Sequence, residues 1–104
     1  MKHLNKILVT SSKPPIVEID TSARAAYIRF SDEKIVQTLS DEKPGLVVAV
    51  DLDAHQEVVG IELIGVTDFT ISALLKLVPI EAPRADLNAT QYIAPGKHES
   101  LAPC

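Results

Sequence analysis

Apolar and polar residues alternate along five runs in the middle of the chain: IVEID from Ile16, AAYIRF from Ala25, IVQTL from Ile35, LVVAVDL from Leu46 and VVGIELI from Val58. Side chains of a strand point to opposite faces in turn, so a period of two predicts five β-strands. In the second run Ala26, Ile28 and Phe30 share one face, and Tyr27 and Arg29 share the other. The connections DTSAR, SDEK, DEKPG and DAHQ are short and carry turn formers: Asp20, Ser31 or Asp32, Pro44-Gly45 and Asp53. Short connections join antiparallel neighbours, because a parallel pair needs a long crossover. The stretch Tyr27 to Thr38 therefore reads as one hairpin of a meander.

After the strands the period changes. In TISALLKLVP, Ile71, Leu74, Leu75 and Val78 fall at i, i+3, i+4 and i+7, one face of a helix. Thr70 suits the N-cap, with Phe69 before it placed to staple onto Leu74, and Pro79 stops the helix. The predicted fold class is α+β: a mainly antiparallel β-meander of about five strands with one short C-terminal helix packed on it. Residues 16–78 hold this pattern. Residues 1–15 form a polar lead ending in Pro14-Pro15. Residues 79–104 hold Pro79, Pro83, Pro95 and Pro103 without a sustained period, and an extended or partly disordered tail is expected.

The strands are apolar on more than one face. In the fourth run Leu46, Val48, Val50 and Leu52 share a face, yet Val47 and Ala49 on the other are also apolar. In the fifth, Val59, Ile61 and Leu63 face the core, while Val58, Gly60 and Glu62 lie opposite. A sheet wet on one side shows polar residues there. Either the tail folds back over this face or a second copy packs on it; the second copy is favoured, since two-fold dimers are the commonest closed assembly. The candidate contacts are Tyr27, Val47, Ala49 and Val58.

Composition narrows the function. The chain has 104 residues and a formal net charge of −4, with only 10 Lys and Arg, scattered. It lacks the basic face that phosphate backbones require, so no nucleic-acid partner is expected. No run reaches the ~20 apolar residues of a membrane span, and the N-terminal start has too short an apolar stretch for a signal peptide. The single cysteine, Cys104, has no partner for an internal disulfide. A cytoplasmic protein with no membrane partner is expected, and the NAT at Asn88 is then a chance glycosylation match.

The segments AAYIRFSDEKIVQT and VVAVDLDAHQEVVGIELIG resemble a small, mostly prokaryotic family, domain of unknown function 2283. Asp20, Ala26, Tyr27, Ile28, Arg29 and Ser31 match its first hairpin. Val50, Asp51, Leu52, Asp53, Val58, Val59, Gly60, Ile61 and Glu62 match its second. The likeness covers residues 16–66. Thr21 stands where the family often has Pro, and Gln56 where it often has Gly; a positive φ at Gln56 would be strained. The resemblance supports the β-rich fold and implies no activity.

The chemistry-bearing residues are few. Arg29, Asp51 and Glu62 form a candidate polar site, with Arg29 and Glu62 expected to pair across strands. Asp51, Asp53, Glu57 and Glu62 cluster near one hairpin end, but without the ligand ladder of a Ca²⁺ loop; Asp53 as a turn cap is the simpler reading. His3, His55 and His98 are not at zinc-ligand spacing. No nucleophile, phosphate-loop or dinucleotide motif is present, and no catalytic residue, metal or cofactor is expected. The pattern points to a non-catalytic homo-oligomeric interaction module, with an unidentified protein partner also open. The alternative is a small-molecule binder or enzyme with a site between sheet and helix or at a dimer interface.

Overall fold

The computed structural model describes residues 6–94. His3, Pro95, His98, Pro103 and Cys104 lie outside them. In chain order the described residues form β1 (Ile7–Leu8), β2 (Ile16–Asp20), β3 (Ala25–Arg29), β4 (Gln37–Lys43), β5 (Leu46–Leu52), β6 (Val58–Ile64), α1 (Ile71–Leu77), β7 (Ile80–Glu81), a 3₁₀ turn (Leu87–Ala89) and β8 (Gln91–Ile93). The main sheet has six strands in the order β4-β5-β6-β3-β2-β8, and β1 pairs with β7 in a separate two-stranded sheet. Both β1–β7 and β2–β8 are parallel.

The strand pattern was legible for β2, β3, β5 and β6, and the fold is β-rich with one short helix as expected. Three expectations are corrected. The hairpin from Tyr27 to Thr38 does not form: β3 pairs with β6, and β4 pairs with β5 alone. Phe30 and Ser31 both donate backbone N–H groups to the Val59 carbonyl, which carries the chain past the end of β6. β3 and β4 are three strand spacings apart in the sheet order, ~14 Å at the usual interval. A connection from Phe30 to Val36 reaches up to ~24 Å when extended, so it crosses with room to spare. The meander is thus confined to β4, β5 and β6, and β6 closes beside β3. The third strand begins at Gln37 and runs to Lys43, not from Ile35 to Leu39. Finally, α1 is not the last element, because β7 and β8 follow it and extend the sheets.

The helix itself follows its signals. The Thr70 hydroxyl accepts from the Ala73 N–H, and Val78 already has extended geometry, φ −133° and ψ 157°, as a residue before proline should. At seven residues α1 is too short to stand alone. It is held by Leu74 and Val78, both buried in the core.

That core lies entirely on one face of the main sheet, the inner face. Val17 of β2, Ala26 and Ile28 of β3, Val48 and Val50 of β5, and Ile61 and Leu63 of β6 form its floor. Ile7 and Val9 from the lead, Val66, Leu74, Val78 and Ile80 form its roof. The Ile7 and Val9 N–H groups bond to the Pro79 and Glu81 carbonyls, each at 2.8 Å, and so fix the lead to the chain after α1.

Candidate functional site

Because the register is known, the outer face can be laid out as rows running across the strands. One row reads Glu42, Val47, Ile64, Ala25, Asp20. The next reads Ser40, Ala49, Glu62, Tyr27, Glu18, Ile93. The third reads Thr38, Asp51, Gly60, Arg29, Ile16, Gln91. Six of the seven residues expected to form an interface or polar site, Tyr27, Arg29, Val47, Ala49, Asp51 and Glu62, therefore share this face.

Val58 is the exception, and here the expectation is corrected. The register slips between Asp51 and Leu52, so that Leu52 faces Val58 while Asp51 faces Gly60. The extra residue, Val59, makes a β-bulge and reverses the parity before it. Val58 is turned into the core and keeps only 8% of its surface exposed. It is not an interface residue of the outer face.

The other polar residues form a chain of contacts over four strands. The Tyr27 hydroxyl donates to an Asp51 carboxylate oxygen at 2.7 Å, and Thr38 Oγ1 donates to the other at 2.6 Å. Tyr27 belongs to β3 and Asp51 to β5, so the phenol must pass over β6. It does so at Gly60, where a Cβ would run into the Tyr27 ring and hydroxyl. Arg29 sits above the same ring, 5.2 Å from its centroid. Its Nη2 and Nε donate to Glu18 Oε2 at 2.8 and 3.2 Å. Burial, then the bond to the anionic Asp51, push the Tyr27 hydroxyl far above the ordinary phenol value. The bond to Glu18 raises Arg29 further still. Neither group changes charge near neutral pH. The arrangement orients side chains rather than moving protons.

The expected Arg29–Glu62 pair does not occur. Glu18 and Glu62 both lie diagonally from Arg29, one across β2 and one across β6. The Tyr27 ring leans toward β6, over Gly60, and Glu18 takes the guanidinium. Glu62 stays exposed.

Asp53 caps its turn as read from the sequence. One carboxylate oxygen accepts from the His55 and Glu57 N–H groups at 2.8 and 3.0 Å. The Glu57 N–H foremost, with that of His55, holds this carboxyl below the usual range. Gln56 in the same turn has φ +63°, the left-handed conformation expected to be strained there. Among the described residues no group of three His, Cys, Asp or Glu side chains could hold a metal ion. No helix among them is long and apolar enough to cross a membrane.

Between sheet and helix lies an open groove of about 240 Å³, lined by Ile19, Phe69, Thr70 and Tyr92. The Tyr92 hydroxyl accepts from the Ile71 N–H beside it, at 2.8 Å. Neither Arg29 nor Glu62 reaches it. On the outer face a hollow of about 250 Å³ is lined by Glu18, Asp20, Tyr27 and Glu62, among others. Both are below the ~300 Å³ at which small-molecule pockets usually begin.

The residues that carry this geometry coincide with a family segment. Residues 16–66 match the family model described as Protein of unknown function (DUF2283). Through these residues the chain belongs to DUF2283. The DUF2283 segment holds β2 to β6 and so the whole Glu18–Arg29–Tyr27–Asp51–Thr38 chain; α1, β1, β7 and β8 lie outside it. No curated protein and no solved structure matches the chain. Sequence reasoning named Tyr27, Arg29 and Asp51 but missed Glu18 and Thr38. Their parity was readable, but their neighbours depend on β3 lying beside β6.

Proposed function

We propose that this protein is a small non-catalytic interaction module that acts as a homodimer through the outer face of its main sheet, in the cytoplasm. One observation supports the reading above all. Every sheet residue of the core cluster faces inward, while Val47, Ala49 and Ile64 form an apolar corner on the opposite face that the core does not use. Ile64 keeps 38% of its surface exposed there. The Tyr27–Asp51 bond adds a fixed aromatic beside that corner, and a held aromatic loses little freedom on contact. The acidic Glu62 lies directly beside Ala49 in the same row, with Glu18 further along it, and gives the corner a polar rim.

The test is a concentration series by light scattering. The expected mass is that of two 11.2 kDa chains, and Ala49→Lys should return it to one chain without altering the circular dichroism. A mass that stays at one chain up to high micromolar concentration overturns the dimer.

A further inference from the structure

A second hollow lies at the end of the apolar corner, where the turn after β2, the turn after β4 and the end of β6 meet. It has a volume of about 390 Å³, within the range of small-molecule sites. Arg24 and Lys43 wall it, and Leu46, Val47 and Ile64 supply apolar surface. We propose that this hollow binds a small carboxylate with an apolar body, a function that needs only one chain and goes beyond the dimer reading.

Three observations converge. First, the backbone here is built to bring the turns together. The Gly65 and Val66 N–H groups both donate to the Arg24 carbonyl at 2.8 Å, and at Gly65 a Cβ would strike the Gly45 carbonyl. Second, Arg24 has φ +52°, in the left-handed region where glycine is at ease and a branched chain is strained. The turn by itself is better served by glycine, so Arg24 bears a backbone cost at a position that lines the hollow. Third, Arg24 and Lys43, like Lys34, Lys76 and Arg84, have no ion-pair partner among the described residues, and they alone of these five line the hollow. Glu42 also lines the hollow and limits the excess of positive charge to one. That balance suits a singly charged ligand.

The guanidinium fork matches a carboxylate in geometry. The apolar floor selects for a hydrocarbon body and against a bare inorganic anion, which would gain nothing from Val47 and Ile64. Val47 and Ile64 are shared with the proposed dimer contact, so the test is made on wild-type protein and on Ala49→Lys, whose changed residue does not line the hollow.

Hexanoate, hexanol and acetate are each titrated into the full chain, with backbone amides followed by NMR. Hexanoate should produce saturable shifts at Gly45, Leu46, Val47 and Gly65, and bind about ten-fold more tightly than either hexanol or acetate, the size of one lost ionic or apolar contact. Arg24→Gly should raise the melting temperature, because it relieves the turn, and abolish the binding; Lys43→Gln should weaken it several-fold. The site is overturned if hexanoate gives no saturable shift in Ala49→Lys, if hexanol binds equally well, or if Arg24→Gly binds as wild type does. None of these outcomes depends on the mass measured by light scattering.

Discussion

Leu63 and Ile64 are consecutive in β6, yet Leu63 has no exposed surface and Ile64 keeps 38% of its own. The same contrast runs across β2, β3, β5 and β6. Their inner face is an apolar layer roofed by the lead, α1 and β7, whereas β4 sets Gln37, Asp41 and Lys43 on that side. The outer face carries directional bonds in place of cover: two hydrogen bonds to Asp51, an ion pair between Arg29 and Glu18, and a phenol laid over a glycine. Burial is non-directional and scales with area, so it supplies most of the free energy that holds this sheet together. Hydrogen bonds are worth less net but fix geometry, so the outer face has a definite shape without contributing much to stability.

Truncating either side should show the difference. Leu63→Ala leaves a cavity in the core and should cost about 2–5 kcal/mol in urea unfolding. Ile64→Ala, one residue along, should change the single chain by less than about 0.5 kcal/mol. Equal losses would mean that the outer face is as fully packed as the inner one.

Gly60→Ala tests the outer network itself. Its Cβ forces Tyr27 off β6 and breaks the bond to Asp51, with an expected cost of about 1–3 kcal/mol. In a Tyr27→Ala background the same change should cost far less, because the clash has been removed. Additive costs in that double-mutant cycle would show that the phenol does not cross the glycine.

A smaller gain is expected at the turn between β5 and β6. Gln56→Gly relieves the left-handed backbone at φ +63° and should stabilise the protein by about 1 kcal/mol, read as a shift in thermal midpoint. Unchanged stability would remove strain from the account of that turn.

The least effect is that of acid. Asp20, Asp32, Asp53 and Asp68 all have carboxyls held below the ordinary value: by the Ser22 hydroxyl, by Lys13, by the Glu57 N–H and by the Thr70 N–H respectively. Each binds its proton less readily folded than unfolded. Their contribution is complete above the unfolded value of about 3.9 and is lost as pH falls through the lower folded values. Denaturant midpoints should therefore be flat from neutrality to about pH 5 and decline below about pH 4. A decline that begins near pH 6 would point to a group other than these.

Much of this was written plainly in the sequence. Alternation marked β2, β3, β5 and β6, and Thr70 with Pro79 marked both ends of α1. Parity alone put Tyr27, Arg29, Val47, Ala49, Asp51 and Glu62 on one face. The failures have local causes. β1 and β7 are two residues each, too short for a period to register. Val58 was assigned to the wrong face because a bulge adds one residue without any signal that differs from a regular strand. Gly60 was placed only on the face opposite the core; that it carries a neighbour's phenol follows from the three-strand register Arg29–Gly60–Asp51. The Arg29 partner was misread because two glutamates are geometrically equivalent diagonals, and a ring decides between them.

The two parallel pairings have a consequence for how the protein is made. β1 waits for β7, and β2 leaves an edge that only β8 completes. A nascent polypeptide on the ribosome that has released only the family-matched segment thus has Val17, Ile28 and Ile61 in place with Leu74, Val78 and Ile80 still to come. Its inner face must stay wet and sticky until Ile80 has left the exit tunnel, and a gene fragment trimmed to residues 16–66 would express that sticky half permanently.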